Sequence, residues 1–413
     1  MNKSNSQKYL LWLVMAFPLL TAYGQSLSLY VSFVLTMLPI GGFYYIAFSN
    51  KSKSLQSAPS QLAGIIVVLT ILSFFLSSLG KFKFAQLTNE YCLLPYVAIV
   101  LAQVDYRPRF VKSIPTFINI SCIVFLAVLI LNREYLLLDT GYEIRESLNE
   151  VDFSLDSLTK QFCRCCFFLF FLVPFIKIKR IIIPLLACIV MVVISILIGR
   201  RNLLLSVAIM AVIVFLNYSH YVFGYKGKRN RFISAVIIIV AAVTLYYGVG
   251  LAQSIFNGTN TDEFFEVLTN RAQSDSRSSV HAHFFMDMNS NPINWVLGKG
   301  VNGTYYCPMA NSNTPYRSVI EIGWLQIILK FGIIGAVLFF VIFWKSLKHF
   351  KKSNILIRAC AMYIICSVLE MTYAGVPAFD TCWIMLWICV GICCNQSWRT
   401  LTDKDVITLI NGK

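Results

Sequence analysis

Charged residues are scarce in this chain, making up only 13% of its 413 residues, against about 25% in a typical soluble domain. Hydrophobic residues account for 57%, and the mean hydropathy is +0.69. This balance excludes an ordinary soluble domain and indicates a chain that lies in a lipid bilayer. The net charge of +16 would also suit a nucleic-acid partner. We expect none, because the basic residues stand between apolar stretches, as in the cytoplasmic loops of membrane proteins.

The sequence also lacks the spacing of a metal site or of a disulfide framework. Most of the thirteen cysteines lie inside apolar stretches, where cysteine behaves as a small hydrophobic residue, and Cys307 is the one that is clearly in a polar loop. Two histidines without nearby carboxylate or cysteine ligands are a weak metal signal. The predicted outward loops hold neither an Asp-x-Asp motif nor a Walker loop. We therefore expect no metal and no other cofactor.

A signal-peptide cleavage site is missing as well. Lys3 and Lys8 precede the apolar stretch 9–23, but no small-residue cleavage motif follows it and another apolar stretch begins at once. Secretory signal peptides normally end in such a motif. We expect the first apolar stretch to remain in the protein as a membrane helix.

Twelve apolar stretches have about the length that a helix needs to cross the bilayer core. They are 9–23, 27–48, 62–79, 90–104, 114–132, 161–176, 181–199, 202–219, 232–252, 319–344, 355–374 and 380–395. Because backbone polar groups in lipid must be satisfied internally, these stretches are predicted to be helices. The sequence therefore predicts an all-α, polytopic protein of about twelve transmembrane helices, with residues 1–413 forming a single membrane domain.

Lysine and arginine set the predicted orientation. They concentrate in the loops that share a side with the N-terminus, and cytoplasmic loops carry such an excess. Both termini are therefore predicted to be cytoplasmic. Residues 133–160 and 253–318 become large outer loops.

A polar, basic segment that is rich in Asn and Ser runs from Arg271 to Gly335 and includes most of the second outer loop. Loops longer than about 12–15 residues in compact proteins are usually functional or disordered. Trp295, Tyr305 and Tyr306 lie here beside arginines and histidines. We expect this loop to be ordered and to form part of the active site.

Arg200 and Arg201 follow the predicted span 181–199 at its outer end, where cytoplasmic anchoring does not account for them. They either extend to lipid headgroups or clamp a phosphate, whose oxygens fit the planar guanidinium in a bidentate way. Arg271 and Arg317 are expected on the same face. These four arginines are the predicted diphosphate-binding residues.

Three residues are predicted to be catalytic. Arg277 and His281 are four apart and share one face of a helix, although a plain solvated histidine is the alternative. Glu321 opens the span 319–344. It either caps that helix, where the dipole favours a carboxylate, or acts as a general base or sugar-hydroxyl acceptor.

Four short motifs together resemble the bacterial O-antigen polymerases and ligases. They are GRRN (Gly199–Asn202), RSSVHAHFF (Arg277–Phe285), VLGKGVNG (Val296–Gly303) and EIGWLQIILKFGIIG (Glu321–Gly335). The last is similar to the family's H-N-x-x-L-x-x-x-x-x-x-G pattern at Leu325 and Gly332. It departs from that pattern where Glu321 and Ile322 replace His and Asn. Because the ligases use that histidine, the departure favours a polymerase and leaves the role of position 321 open.

The resemblance implies an inverting, metal-independent glycosyltransferase with a GT-C-like membrane architecture, in the inner membrane of a bacterium. It implies that undecaprenyl diphosphate carries donor and acceptor glycans, and that the product is O-antigen or capsular polysaccharide. Membrane lipids, a chain-length regulator and a flippase are the further partners it suggests. The alternatives are an O-antigen ligase, a polysaccharide flippase or other transporter, and a structural membrane protein. A transporter would place its charges near the bilayer midplane, whereas here they gather at one face.

Overall fold

The computed structural model describes residues 6–25, 29–50, 58–77, 85–131, 164–197, 201–222, 276–308, 315–348, 350 and 353–411. The predicted span 232–252 and the predicted outer loop 133–160 lie outside these ranges. The second outer loop, 253–318, is described from residue 276 onward, apart from residues 309–314.

Helices make up nearly all regular structure in the described ranges. They are α1 (Lys8–Gln25), α2 (Leu29–Ser49), α3 (Ala58–Ser77), α4 (Ala85–Thr88), α5 (Leu94–Val97), α6 (Pro108–Leu131), α7 (Phe167–Phe170), α8 (Ile182–Leu197), α9 (Arg201–Val222), α10 (Ser276–Asn289), α11 (Ile293–Leu297), α12 (Gly323–Leu347), α13 (Ile355–Glu370), α14 (Thr381–Cys394), α15 (Gln396–Arg399) and α16 (Asp403–Asn411). Two short strands, β1 (Tyr305–Tyr306) and β2 (Tyr316–Arg317), pair in an antiparallel way. The predicted all-α class is confirmed.

Three helices within the described part of the chain are long and apolar enough to cross a membrane: Ala58–Phe75, Pro108–Leu131 and Gly323–Leu347. Shorter apolar helices are Lys8–Phe17, Val34–Ser49, Leu94–Gln103, Ile182–Ser195, Asn202–Asn217 and Thr381–Cys394. A mostly helical membrane protein is thus supported, while the number of twelve spans stays a prediction.

The predicted span 90–104 is irregular. One turn of α-helix, α5, continues as a 3₁₀-helix over Ala98–Gln103, and all of these residues are buried. A 3₁₀-helix rises about 2.0 Å per residue, against 1.5 Å in an α-helix. The stretch therefore covers more distance than its few residues would cover as an α-helix.

Loops that are predicted to lie on the same side of the membrane as the N-terminus meet at one end of the bundle, which we call the terminal end. Gln7 Nε2 donates to the carbonyl of Asp105 at 2.8 Å, and the Asp105 N–H donates to the carbonyl of Asn50 at 3.1 Å. Asn395 Nδ2 in turn donates to the carboxylate of Asp105 at 3.1 Å. Residues near both chain termini therefore lie at the same end.

The opposite end, which we call the loop end, gathers residues from the predicted outward loops. The Phe379 N–H donates to the carbonyl of Glu90 at 2.8 Å, and the Val301 N–H donates to Ser73 Oγ at 3.0 Å. The Gly323 N–H donates to the carbonyl of Ala374 at 3.0 Å. The stretch from Glu90 to Asp105 thus runs from the loop end to the terminal end.

Helix α12 is broken at Gly332, which has φ +68° and ψ −172°. The turn that follows α11 fills this break: the N–H groups of Lys299 and Gly300 donate to the carbonyls of Leu329 and Lys330 at 2.7 and 3.1 Å. Backbone groups freed by a helix break within a membrane need such internal partners. The VLGKGVNG motif therefore docks directly into a membrane helix.

The same turn holds the ammonium group of Lys330, which is 1% exposed. Its Nζ donates to the carbonyl of Gly303 at 2.7 Å. A side chain at Gly298 would lie 2.5 Å from the backbone nitrogen of Gly332. The backbones of the turn and of α12 can approach this closely because Gly298 and Gly332 both lack a side chain.

The cysteines pack as predicted. Those in the described ranges carry thiols that form no disulfide, and all but Cys382 are buried. Cys307 is buried although it lies in the outer loop, in a small cluster with Phe284, Met288 and Tyr305. This cluster fixes α10 against β1.

Candidate functional site

A cavity of about 260 Å³ opens at the loop end between the ends of several helices. Its walls come from the start of α9, the end of α13, the start of α14, the loop between those two, and the residues that precede α12. The lining residues are Tyr91, Arg164, Asn202, Leu203, Val319, Glu321, Ser367, Glu370, Met371, Ala374, Gly375, Val376, Ala378, Asp380, Cys382, Trp383 and Leu386. Polar and charged groups thus meet where apolar helices end.

A largely buried ion pair lies in the wall of this cavity, with side-chain exposures of 10% for Arg164 and 16% for Glu370. Arg164, 8% exposed, begins a 3₁₀ turn, and its Nη2 contacts Oε1 of Glu370, the last residue of α13. The same nitrogen donates to Ser206 Oγ at 2.9 Å. Removing two charges from water is costly, so a buried ion pair persists only with good geometry and further hydrogen bonds.

Ser206, on α9, connects the ion pair to the neighbouring loop. Its hydroxyl donates to the carbonyl of Asn202 at 2.8 Å, so the hydroxyl of Tyr373, 2.9 Å away, is the donor in their contact. With Arg164 as a second donor, the one hydrogen and both lone pairs of the serine hydroxyl are used. Three segments of the chain are joined through one hydroxyl.

Two further carboxylates, Asp380 and Glu321, line the cavity with Glu370. Asp380 caps α14 by accepting a hydrogen bond of 2.7 Å from the Trp383 N–H, where the helix dipole favours a negative charge. Glu321 is exposed and stands two residues before α12 begins. The described lining therefore holds three carboxylates and one guanidinium, and it is more acidic than the sequence suggested.

Arg317 and Glu321 both act on Tyr305. Burial raises the pKa of Tyr305 to about 12 and is the largest cause of the shift. Arg317 counteracts it through its charge and a hydrogen bond, while the charge of Glu321 raises the pKa further. Tyr305 pairs with Arg317 across the two strands. The two predicted residues, Arg317 and Glu321, thus act electrostatically on the same phenol of the short hairpin.

The remaining predicted residues are distributed unevenly. His281 is half-buried on α10 and does not line the cavity. Arg277 lies on the same helix, and Arg201 begins α9, directly before the lining residue Asn202. For these two arginines only the backbone is described, and Arg200 and Arg271 lie outside the described residues.

Sequence reasoning missed Arg164, Glu370, Asp380 and Ser206 as site residues. One signal was available. Ionisable residues in membrane spans are rare and usually face the bundle interior, where they pair with one another. Arg164 and Glu370 both fall in predicted spans, 161–176 and 355–374, and this rule would have suggested them as partners.

Comparison with known proteins adds no assignment. The chain matches no known protein family, and it is not significantly similar to any curated protein or solved structure.

Proposed function

We propose that this protein polymerises oligosaccharide repeat units, carried on undecaprenyl diphosphate, into O-antigen or capsular polysaccharide. The observation that supports this proposal best is the cavity at the loop end, which brings carboxylates and a buried arginine to the border of apolar helices. A substrate with an apolar tail and a polar glycan presents its reacting atoms at such a border. The reaction is an inverting glycosyl transfer on a GT-C-like scaffold of about twelve spans.

In this proposal Glu321 is the general base. The hydroxyl oxygen of the acceptor sugar attacks the anomeric carbon of the donor glycan, and the bond from that carbon to the diphosphate oxygen breaks. Glu321 takes the hydroxyl proton, and such assistance typically contributes about 10²–10⁴-fold. Its exposed carboxylate at the cavity wall suits this role. His281, on α10, is the second candidate for proton transfer.

The departing diphosphate needs positive charge. Arginines supply it without a metal when they are already in place before charge develops. The proposed set comprises Arg200, Arg201, Arg271, Arg277 and Arg317. Two described features favour this grouping: Arg317 and Glu321 both act on Tyr305, and the start of α9 lies at the cavity wall.

The loop end faces the periplasm in this proposal, and the terminal end, with both termini, faces the cytoplasm of a bacterial inner-membrane protein. Lys345, Lys348 and Arg399 lie at the terminal end. Cytoplasmic loops are enriched in such residues. A flippase would then deliver the repeat units, and a chain-length regulator is a further expected partner.

Deletion of the gene, followed by electrophoresis of the surface polysaccharide, tests the proposal. Loss of the ladder, with a single repeat unit left on lipid A, is the result expected for an O-antigen polymerase. For a capsule the long polymer is lost. Complete absence of glycan on lipid A points instead to a ligase or flippase, and an unchanged ladder contradicts the proposal.

The arginine set has its own test. We expect Arg201→Ala and Arg277→Ala to abolish polymerisation at unchanged protein abundance. The corresponding Lys variants should rescue poorly, because an ammonium group does not replace the bidentate fork. Full-length ladders from both Ala variants show instead that these arginines only contact lipid headgroups.

A further inference from the structure

Helix α11 and the end of α10 expose an unusual amount of apolar surface for a segment predicted to lie in water. Large exposed side chains occur five times within thirteen residues: Phe285 (42%), Met286 (68%), Ile293 (54%), Val296 (48%) and Leu297 (57%). Scattered exposed apolar residues are normal, but a contiguous patch marks an interaction surface.

The depth of α11 follows from its contact with α12. A side chain at Gly332 would lie 2.1 Å from the carbonyl oxygen of Val296, so the two backbones are in contact there. Gly332 precedes Lys345, the basic residue in the last turn of α12, by thirteen positions. At 1.5 Å per residue this is about 20 Å of helix.

The hydrocarbon core of a bilayer is about 30 Å thick. If Lys345 marks its border at the terminal end, Gly332 and the end of α11 lie roughly 10 Å inside the opposite border. A tilt of α12 would bring them deeper still, because tilt shortens the vertical distance from Lys345. With this placement, the part of the predicted outer loop that forms α11 lies within the hydrocarbon core.

The exposed face of α12 supports the same placement. Its large exposed apolar residues begin directly after the contact with α11, at Ile333 (48%) and Ile334 (49%), and continue to Trp344 (68%). Before Gly332 the side chains of α12 are at least partly covered. The apolar face of α11 therefore continues the surface that α12 presents to lipid.

Aromatic residues complete the arrangement. Trp295 stacks on Phe285, with ring centroids 5.9 Å apart and 21° between the planes. The indole N–H of Trp295 donates to Asn289 Oδ1 at 2.9 Å, in the exposed polar turn between the two helices. Tryptophan is enriched at membrane interfaces because one side of its ring system is apolar and the other is polar.

We propose that α11 and the end of α10 form an interfacial anchor whose apolar side chains insert among the acyl chains of the bilayer leaflet at the loop end. The occupant of this patch is membrane lipid. Interfacial helices bury their apolar face to about 5–10 Å at the headgroup–acyl boundary, which is the depth obtained from α12. This inference needs only that α12 crosses the membrane with Lys345 at the border of the hydrocarbon core, and it is independent of the reaction that the protein catalyses.

Photolabelling of the unmodified protein tests the anchor. The purified full chain is placed in phosphatidylcholine nanodiscs in which some lipids carry a diazirine on the acyl chain, and labelled peptides are identified after illumination. We expect labels at residues 285–297 as well as at 333–344 of α12. Labels at 333–344 without any at 285–297 overturn the proposal, since a patch covered by protein or water does not react with acyl chains.

Fluorescence quenching provides a second readout, with Trp295→Phe, which keeps an aromatic ring against Phe285. The emission lost in this variant is the contribution of Trp295. We expect that contribution to be quenched by lipids brominated on the acyl chains and not by iodide in the buffer. Trp344→Phe, at an exposed site on α12, serves as the lipid-facing control, and Trp387→Phe, fully buried, serves as the protected control. Quenching of the Trp295 contribution by iodide alone contradicts the anchor.

Discussion

The two ends of the bundle are built from different chemistry. At the terminal end the side-chain amides of Gln7, Asn354 and Asn395 tie separate segments together through hydrogen bonds. The ion pairs at that end, Arg107–Asp105 and Arg358–Asp403, are more exposed than the pair at the loop end. At the loop end charged groups surround a cavity, and the buried pair of Arg164 and Glu370 lies in its wall. One end therefore closes the bundle, while the other leaves room for a ligand.

This difference indicates that residues at the terminal end mainly stabilise the fold, while residues at the loop end also serve the function. A hydrogen bond from a neutral amide contributes only about 1 kcal/mol net, because it replaces a hydrogen bond to water. A buried charge stabilises only in the presence of its partner. We therefore expect terminal-end substitutions to change stability alone, and loop-end substitutions to change activity as well.

The largest expected effect comes from breaking the buried pair. Arg164→Ala leaves Glu370 uncompensated, and removal of one partner of a buried ion pair costs about 3–5 kcal/mol. Thermal unfolding in detergent, followed by a thiol-reactive dye, measures the loss, because most of the described cysteines are buried thiols that unfolding exposes.

The double variant Arg164→Met/Glu370→Met is the matched control. Apolar replacement of a whole buried ion pair is often neutral or stabilising, so this protein should unfold near the wild-type temperature yet make no polymer. An Arg164→Ala protein as stable as wild type, with full ladders, would show that the pair has no role at this end.

Second is the proposed base. Glu321→Gln keeps the shape of the side chain and removes its charge, and we expect polymerisation to fall by about 10²–10⁴-fold with little change in stability, because the residue is exposed. Glycan ladders at matched expression measure the effect. Glu321→Asp is the companion variant, since it retains a carboxylate. Wild-type ladders from Glu321→Gln would contradict the catalytic role, and Glu321 would then serve only as a favourable charge at the start of α12.

Several helices were predictable from the sequence because the length of an apolar run limits where a span begins and ends. The predicted spans 319–344 and 380–395 correspond to Gly323–Leu347 and Thr381–Cys394. The break at Gly332 was not predicted. It depends on the VLGKGVNG turn packing against the helix, and no local pattern shows that contact.

The site was predictable only in part, for the same reason. Glu321 stood out as a carboxylate at the start of a span, and it does line the cavity. The pairing of Arg164 with Glu370 joins residues far apart in sequence through Ser206 on a third segment. Periodicity reports which face of one helix is apolar, but it does not report which helices become neighbours.

The third prediction tests the terminal end. Asn354 is buried, caps α13 by accepting from the N–H groups of Leu356 and Ile357, both at 3.1 Å, and donates to the carbonyls of Trp398 and Leu401. Asn354→Ala should cost about 1–3 kcal/mol through the lost cap and the unsatisfied carbonyls. Activity per folded molecule should be unchanged, and a lower value would mean that the two ends are coupled.

We expect the smallest effect on stability at Asp380. Two substitutions there distinguish its role as a helix cap from a role in the cavity. Asp380 caps α14 and also faces the cavity. Asn caps helices about as well as Asp, whereas Ala at a cap costs about 1 kcal/mol. Asp380→Asn should therefore unfold near the wild-type temperature and Asp380→Ala somewhat below it. If the carboxylate serves the cavity through its charge, both variants should lose polymer to the same extent. Full ladders from Asp380→Asn, with a loss only in Asp380→Ala, would assign Asp380 to capping alone and leave Glu321 and Glu370 as the carboxylates that serve the cavity.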